Sequence, residues 1–226
     1  RLSRTILAAL EKVATRLSEA AHERGKQIER AMLTFSPPWY RAETKVLHYD
    51  HHTSVEVTAS LIDAMIEEAW RRFGTTPSTT TETLRGREPK GDALIEQSVI
   101  RTALNGYPTR LPIGKMARTL EVALYLSRTP EATLEAVDTV LSRTMPGAVV
   151  VPHSVAFVFA SVLRQLFPAH EDFLLCEVGA EMTELALVID GVLLETASFP
   201  YGAHTLVREL SSALKSTPVA TLSLLS

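Results

Sequence analysis

Residues 173–202, FLLCEVGAEMTELALVIDGVLLETASFPYG, constrain the fold of this chain more than any other segment. An apolar run enters an acidic turn that contains Gly179, a second apolar run leaves it, and Asp190-Gly191 then reverses the chain into a third run. Asp-Gly between two β-prone runs is typical of a type I′ hairpin turn, because both central residues need positive φ. The segment therefore predicts consecutive strands joined by tight turns.

The first of these turns, residues 177–183, has the residue types of a phosphate site. A carboxylate and a glycine between two buried strands can bring backbone amides and an acid up to a phosphate or its metal ion. An ordinary hairpin with acidic turn residues has the same spacing. The pattern alone leaves both interpretations open.

The turn resembles the second phosphate loop of the actin-like ATPase superfamily, Asp-x-Gly-x-x-(Thr)-Thr-(Asp), and looks most like the bacterial FtsA/PilM branch. In that branch the hairpin leads into a helix through Pro-x-Gly-Gly, and here the corresponding residues are Pro200-Tyr201-Gly202-Ala203. The resemblance implies a set of candidate phosphate-binding residues, namely Glu177, Gly179, Ala180, Glu181 and Thr183.

The turn also departs from the family pattern. Glu177 stands where the family has Asp, Ala180 where it often has Gly, and Met182 where it often has Thr, whereas Glu184 keeps the trailing acid. The longer side chain displaces the carboxylate by about one methylene from a magnesium-bound water, and an alanine Cβ hinders close backbone approach. The resemblance implies ATP and magnesium as cofactors of the intact protein, and these departures weaken the case for hydrolysis.

Apolar periodicity along the remaining chain predicts an α/β protein. Leu2, Ile6 and Leu10 recur at helical spacing, and Gly25 is a plausible stop for that helix. Thr129-Pro130-Glu131 predicts a capped helix start. Helices are predicted over residues 2–24, 58–73, 130–143, 153–167 and 202–215, and strands over 28–35, 43–49, 93–105, 115–127 and 148–151, besides the hairpin.

The order of these elements resembles an actin-like (ribonuclease H-like) core with an inserted strand-helix-strand-strand module, as in FtsA/PilM-like proteins. The resemblance implies that residues 1–42 end the first subdomain, 43–128 form the module, and 129–226 return to the core and begin the second subdomain. Residues 74–91 contain almost no apolar side chains and are predicted to be a mobile loop. The first phosphate loop and the adenosine motif would then lie outside this chain, which we interpret as part of a longer protein.

Composition excludes some functional classes. The net charge is −3 with both signs interspersed, so no nucleic-acid surface is expected. No apolar stretch approaches the roughly 18–20 residues that a transmembrane helix needs. The one cysteine, Cys176, lies in a strand predicted to be buried. A single cysteine excludes an intramolecular disulfide framework and favours a reducing compartment or an inert core thiol.

Four further patterns each allow a functional and a structural interpretation. His48, Asp50, His51 and His52 could ligate a metal or belong to a solvated loop. Ser154 with His153 could be a nucleophile and base, or Ser154 could be a helix N-cap. The aromatic pair Trp39-Tyr40 could form a docking patch or seal a core edge. A basic stretch could contact anionic lipid or an acidic partner, or it could be an ordinary loop; its residues are Arg71, Arg72, Arg85, Arg87 and Lys90.

The family resemblance implies a cytoplasmic actin-like scaffold at the inner face of the membrane, docked to a membrane-associated machine. One implied partner is a tubulin-like protein of the division apparatus. The other is an inner-membrane protein of a type IV pilus, whose N-terminal peptide would lie in the cleft beside the inserted module. Self-association is a further expectation. The alternative is an active ATP-hydrolysing filament protein, and the degraded turn favours the scaffold.

Overall fold

The computed structural model describes residues 4–75 and 91–225. Helices and strands alternate along these ranges, which confirms the predicted α/β class. Their order is α1 (Arg4–His22), β1 (Arg30–Phe35), β2 (Arg41–Glu56), α2 (Ala59–Thr75), β3 (Asp92–Leu104), β4 (Tyr107–Pro108), β5 (Met116–Pro130), α3 (Glu131–Thr144), β6 (Val149–Ser154), α4 (Val155–Leu166), β7 (Phe173–Val178), β8 (Thr183–Ile189), β9 (Val192–Phe199), α5 (Ala203–Leu214) and α6 (Pro218–Leu225).

A four-stranded antiparallel sheet, in the order β2-β5-β3-β4, is the largest in the described chain. Its strand β5 is buried on both faces, with Leu120, Val122, Leu124 and Leu126 at most 1% exposed on one face and Ala123 and Tyr125 at most 4% exposed on the other. Helix α2 covers one face of the sheet, and Tyr125 of β5 packs with α4 on the other. Burial on both faces explains why the sequence of β5 is a nearly continuous apolar run instead of an alternating one.

Two smaller sheets lie beside this one. Strands β1 and β6 pair in parallel, and α1 and α3 pack over them through Ala14, Val137 and Leu141. Strands β7, β8 and β9 form an antiparallel sheet whose inner face packs on α4. The predicted hairpin is confirmed, because Asp190 and Gly191 have φ values of 51° and 69°, as a type I′ turn requires.

The sheets correct several sequence-based predictions. Strand β2 is much longer than the predicted 43–49, because its pairing with β5 continues through Asp50 and, after a register shift, resumes at Val55 and Glu56. Cys176 is exposed and not in the core, because β7 is an edge strand with one face outward. Thr129 belongs to β5 and donates its hydroxyl to the Trp39 carbonyl at 2.6 Å, so it does not cap α3. The short strand β4 and helix α6 were not predicted.

The predicted mobile loop over 74–91 falls mainly outside the described residues. Helix α2 continues through Thr75, past the predicted start of that loop. Of the basic stretch, Arg71 forms an ion pair with Glu68 at 3.1 Å, and Arg85, Arg87 and Lys90 lie outside the described residues. Within 4–75 and 91–225, no helix is long and apolar enough to cross a membrane.

Candidate functional site

The turn between β7 and β8 is closed by its own backbone. The Gly179 amide donates to the Met182 carbonyl at 2.8 Å. A Cβ on Gly179 would lie 2.8 Å from that same carbonyl oxygen, which is closer than side-chain carbons approach. Gly179 is not among the residues with positive φ, so a left-handed backbone does not explain the glycine. The turn needs glycine because two backbone segments nearly touch.

Helix α5 begins directly against this turn. The amides of Ala203 and His204 donate to the carbonyls of Gly179 and Ala180 at 2.9 and 2.8 Å. A Cβ on Gly202 would lie 2.6 Å from both of those carbonyl oxygens. The first turn of a helix normally offers unpaired amides to an anion. Here two of those amides are already bonded to the candidate phosphate turn.

Two further candidate residues also have partners within the fold. The Glu181 carboxylate accepts hydrogen bonds from Arg208 at 3.0 and 3.2 Å and lies 3.2 Å from Nδ1 of His204. These contacts with α5, chiefly the Arg208 hydrogen bond, lower the pKa of Glu181. The Thr183 hydroxyl donates to the Tyr201 carbonyl at 2.6 Å. Both side chains thus hold the turn onto the segment that enters α5.

Glu177 and Glu184 face each other across strands β7 and β8. Glu184 is only 5% exposed. Tyr40 donates its hydroxyl to Oε1 of Glu184 at 2.5 Å, whereas Oε2 is buried without a hydrogen-bond partner among the described residues. The pKa of Glu184 is raised to about 7, because burial and, to a smaller extent, the charge of Glu177 raise it while the Tyr40 hydrogen bond opposes both. Burial also raises the pKa of Glu177.

Tyr40 connects this carboxylate pair to the first part of the chain. It lies just before β2 and packs with Phe35, Ile95 and Val155, which supports the interpretation of Trp39-Tyr40 as the seal of a core edge. Burial raises the pKa of Tyr40, so its hydroxyl stays protonated and acts as a donor. The sequence offered no signal for this contact, because Tyr40 and Glu184 are 144 positions apart.

A second buried acid, Glu96, was not predicted as part of any site. One of its carboxylate oxygens lies 2.9 Å from Nδ1 of His153. The other accepts hydrogen bonds from the Ser154 amide at 3.0 Å and from the hydroxyls of Ser154 and Ser127. The Ser154 hydroxyl also lies 2.8 Å from the Tyr125 hydroxyl. Ser154 occupies the N-cap position of α4 without a side-chain cap bond, so the capping role expected for its hydroxyl is wrong.

The histidine cluster lies on strand β2 and not in a loop. His48 lies 3.7 Å from Glu121 on the paired strand β5, and His51 contacts Thr53. His48 and Asp50 are paired with β5, whereas His51 and His52 lie in the register shift between Asp50 and Val55. Among the described residues, no three His, Cys, Asp or Glu side chains are placed to hold a metal ion.

An open cleft of about 970 Å³ separates the four-stranded sheet from α4 and the β8–β9 turn. We call it the sheet–helix cleft. Arg101 of β3 spans it to Asp190 at 3.2 Å, and Arg164 of α4 donates to the Gly191 carbonyl at 2.6 Å. Strand β3, residues 108–112, α4 and residues 168–171 supply most of its lining. A cleft this size, with both polar and apolar walls, can hold an extended peptide.

Comparison with known proteins supports the fold. No family model matches the sequence, and no curated protein matches it. A chain in the solved structure of a PilM-PilN type IV pilus biogenesis complex matches with a TM-score of 0.56 and 14% identity, over 95% of this chain and 55% of that one. The present chain therefore spans little more than half of that relative.

Two other solved structures match less closely. One is the ethanolamine utilization protein EutJ from Carboxydothermus hydrogenoformans, with a TM-score of 0.32 and 22% identity over 40% of this chain and 32% of that one. The other is a Bacteroides thetaiotaomicron protein of unknown function with an actin-like ATPase fold, with a TM-score of 0.39 and 11% identity over 90% of this chain and 63% of that one. The predicted actin-like fold of the PilM kind is confirmed.

Proposed function

We propose that the protein containing this chain is an actin-like scaffold that docks to a membrane-associated machine at the inner face of the membrane, in the manner of a pilus platform. The observation that carries the proposal is the fold match to a chain of a PilM-PilN complex over 95% of the sequence. In this proposal the four-stranded sheet and α2 are the inserted module, residues 43–128, between the subdomain end at 1–42 and the return to the core at 129–226. A pilus partner is preferred to a tubulin-like division protein because the structural likeness is to a pilus complex.

The residues of the candidate phosphate turn fit a magnesium-bound phosphate poorly. The carbonyls of Gly179 and Ala180 accept bonds from α5, and the Glu181 carboxylate is bonded to Arg208 and His204. Glu184 has a pKa near 7, so it is a weak metal ligand at neutral pH. We therefore propose a scaffold in which this turn has a structural role and ATP is not hydrolysed.

Nucleotide turnover by the intact protein tests this part of the proposal. We expect no magnesium-dependent ATP hydrolysis above that of a buffer control. Hydrolysis that Glu177→Ala abolishes and Glu195→Ala leaves intact would instead support the alternative, an active filament ATPase. Glu195 is an exposed acid on β9 and serves as the matched control.

The sheet–helix cleft is the proposed docking site for the partner. It lies between the proposed module and the core, and its walls supply arginine side chains, hydroxyl groups and apolar surface to a bound segment. An extended peptide exposes its backbone amides and carbonyls, which such walls can bond. We propose that the N-terminal peptide of a single-span pilus membrane protein occupies the cleft.

Affinity capture from native membranes tests this site. Ser161→Trp places a large side chain in the cleft, whereas Val162→Trp makes the same change at the next residue of α4, outside the cleft lining. The parent and Val162→Trp should retain a single-span pilus protein, and Ser161→Trp should lose it. Recovery of a tubulin-like protein instead, or equal recovery by both variants, would contradict the proposal.

A further inference from the structure

Large apolar side chains are exposed at one end of the four-stranded sheet, in the connection from β3 to β5. We call residues 105–118 the sheet tip. Tyr107 is 77% exposed, Leu111 76%, Ile113 62% and Met116 59%. Single exposed apolar residues are common on protein surfaces and need no explanation. Four of them within ten positions, on one connection, indicate an interaction surface.

The backbone of the sheet tip is held by hydrogen bonds. Asn105 and Gly106 form a left-handed turn with φ values of 50° and 83°. The Thr109 amide donates to the Thr102 carbonyl, and the Gly114 amide to the Val57 carbonyl, both at 2.9 Å. Because the backbone is already ordered, binding through this surface would cost little conformational entropy.

The charges of the sheet tip have one sign. Its sequence, NGYPTRLPIGKMAR, contains three cations and no acid. Arg110, Lys115 and Arg118 are all exposed. The neighbouring acids, Asp50 and Glu56, belong to the paired strand β2. Apolar side chains interleaved with lysine and arginine are typical of segments that lie at the surface of anionic membranes.

The shape of the sheet tip favours a lipid surface over a protein partner. A stable protein interface usually takes roughly 20–30 residues from each side. The tip has 14 residues, including Pro108 and Pro112 and the first three residues of β5, and its four exposed apolar side chains lie within them. Shallow insertion into the headgroup region needs only such a narrow projection, and tyrosine is enriched at that depth.

We propose that the sheet tip is a membrane-contact site for anionic lipids. Its four apolar side chains enter the boundary between headgroups and acyl chains, and its three cations contact lipid phosphates. The site is separate from the candidate phosphate turn, and it does not depend on whether the partner belongs to a pilus or a division machine.

Vesicle co-sedimentation of the intact protein tests the proposal. The probes are vesicles of phosphatidylcholine alone and vesicles with equal parts of phosphatidylcholine and phosphatidylglycerol. We expect binding to the mixed vesicles, little binding to the neutral ones, and weaker binding as salt concentration rises.

Two pairs of substitutions separate the apolar and the charged contributions. Lys115→Gln with Arg118→Gln should weaken binding to mixed vesicles about thirtyfold. Leu111→Ser with Ile113→Ser should weaken it about tenfold or more. The first pair leaves Arg110, which also lines the sheet–helix cleft, so partner capture through the cleft should persist in both double variants.

Matched controls use exposed residues elsewhere on the chain. Lys12→Gln with Arg16→Gln removes the same charge from α1, and Leu174→Ser with Val178→Ser removes apolar surface from β7. Both controls should bind mixed vesicles like the parent. Equal losses in tip and control variants, or absence of parent binding to mixed vesicles, would overturn the proposal. Tip-dependent retention on immobilised polyglutamate without vesicle binding would overturn it in favour of an acidic protein partner.

Discussion

Glu96 and Glu184 are both buried acids in β-strands, but their surroundings differ. Glu96 is 8% exposed and Glu184 5%. Both oxygens of Glu96 have partners, from Ser127, His153 and Ser154. Glu184 has one donor, Tyr40, and its second oxygen has no partner among the described residues. Similar burial therefore does not imply a similar role, because the two carboxylates differ in the number of donors that reach them.

The two carboxylates also join different parts of the chain. Glu96 connects β3 to the junction of β6 and α4 and to β5, so it holds the four-stranded sheet against the core. Glu184 connects β8 to Tyr40 and lies opposite Glu177 of β7. We infer that Glu96 is a structural anchor and that Glu184 is a titrating group.

Replacing Glu96 should have the largest effect. Glu96→Ala leaves several buried donors without an acceptor, and we expect the free energy of unfolding to fall by about 4 kcal/mol. Urea denaturation of the parent, Glu96→Ala and the exposed control Glu195→Ala measures this loss. If Glu96→Ala does not fold, Glu96→Gln, which keeps the shape and one acceptor, should show a smaller loss. A loss no larger than that of the control would contradict the anchoring role.

Titration of Glu184 should have the next largest effect. Its folded pKa of about 7 exceeds the ordinary value of 4.5, so the folded state holds its proton more tightly than the unfolded state. The free energy of unfolding should therefore fall as pH rises from about 4.5 through 7, with Glu184 contributing about 2 kcal/mol of that fall. Denaturant titrations at several pH values should show that Glu184→Gln removes this component. An unchanged pH profile in Glu184→Gln would show that the carboxyl does not titrate in this range.

Removing the donor to Glu184 should have a smaller effect. Tyr40→Phe leaves both carboxylate oxygens of Glu184 without a donor, so the free energy of unfolding should fall by about 1 kcal/mol. The loss should be larger at pH 8, where Glu184 is ionised, than at pH 5. The same change should raise the pKa of Glu184, because the Tyr40 hydrogen bond lowers it. Thermal unfolding at both pH values checks this, with the exposed Tyr107→Phe as control. Equal losses at the two pH values would contradict it.

Removing the neighbouring charge should have the smallest effect. Glu177→Gln eliminates the repulsion that helps to raise the pKa of Glu184, so the midpoint of the Glu184 titration should move to lower pH. The accompanying gain in stability at neutral pH should be about 0.5 kcal/mol. Carboxyl carbon chemical shifts measured against pH report this midpoint directly. A midpoint that does not move would show that the two carboxylates are electrostatically independent.

Local sequence patterns were sufficient for much of the fold. The turn at Asp190-Gly191 requires positive φ at both central residues, and few residue pairs adopt it readily, so the sequence identifies it. Helix α1, the hairpin strands and α4 follow from apolar periodicity. The extension of β2 beyond residue 49 was missed, because its residues are polar and its pairing with β5 at Asp50, Val55 and Glu56 is a tertiary contact.

The candidate site was predicted less completely. The sequence indicated the turn and its residues Glu177, Gly179 and Thr183, and their roles in nucleotide binding stay predictions. It did not indicate that Gly179 is needed for close backbone approach, because that requirement depends on the position of the Met182 carbonyl. It did not indicate that the pKa of Glu184 is raised, because that shift comes mainly from burial in the assembled sheet.

The sequence by itself determined the periodicities, the tight turns and the family resemblance, since these depend on residues close together along the chain. Only the tertiary structure decided which buried groups meet. In β3 the register shifts by one residue between Leu94 and Glu96. Glu96 contacts residues 57 and 58 positions away along the chain, and Tyr40 contacts Glu184, 144 positions away. Hydrogen bonds and pKa values depend on distances of a few ångströms, and the packing of separate elements sets those distances.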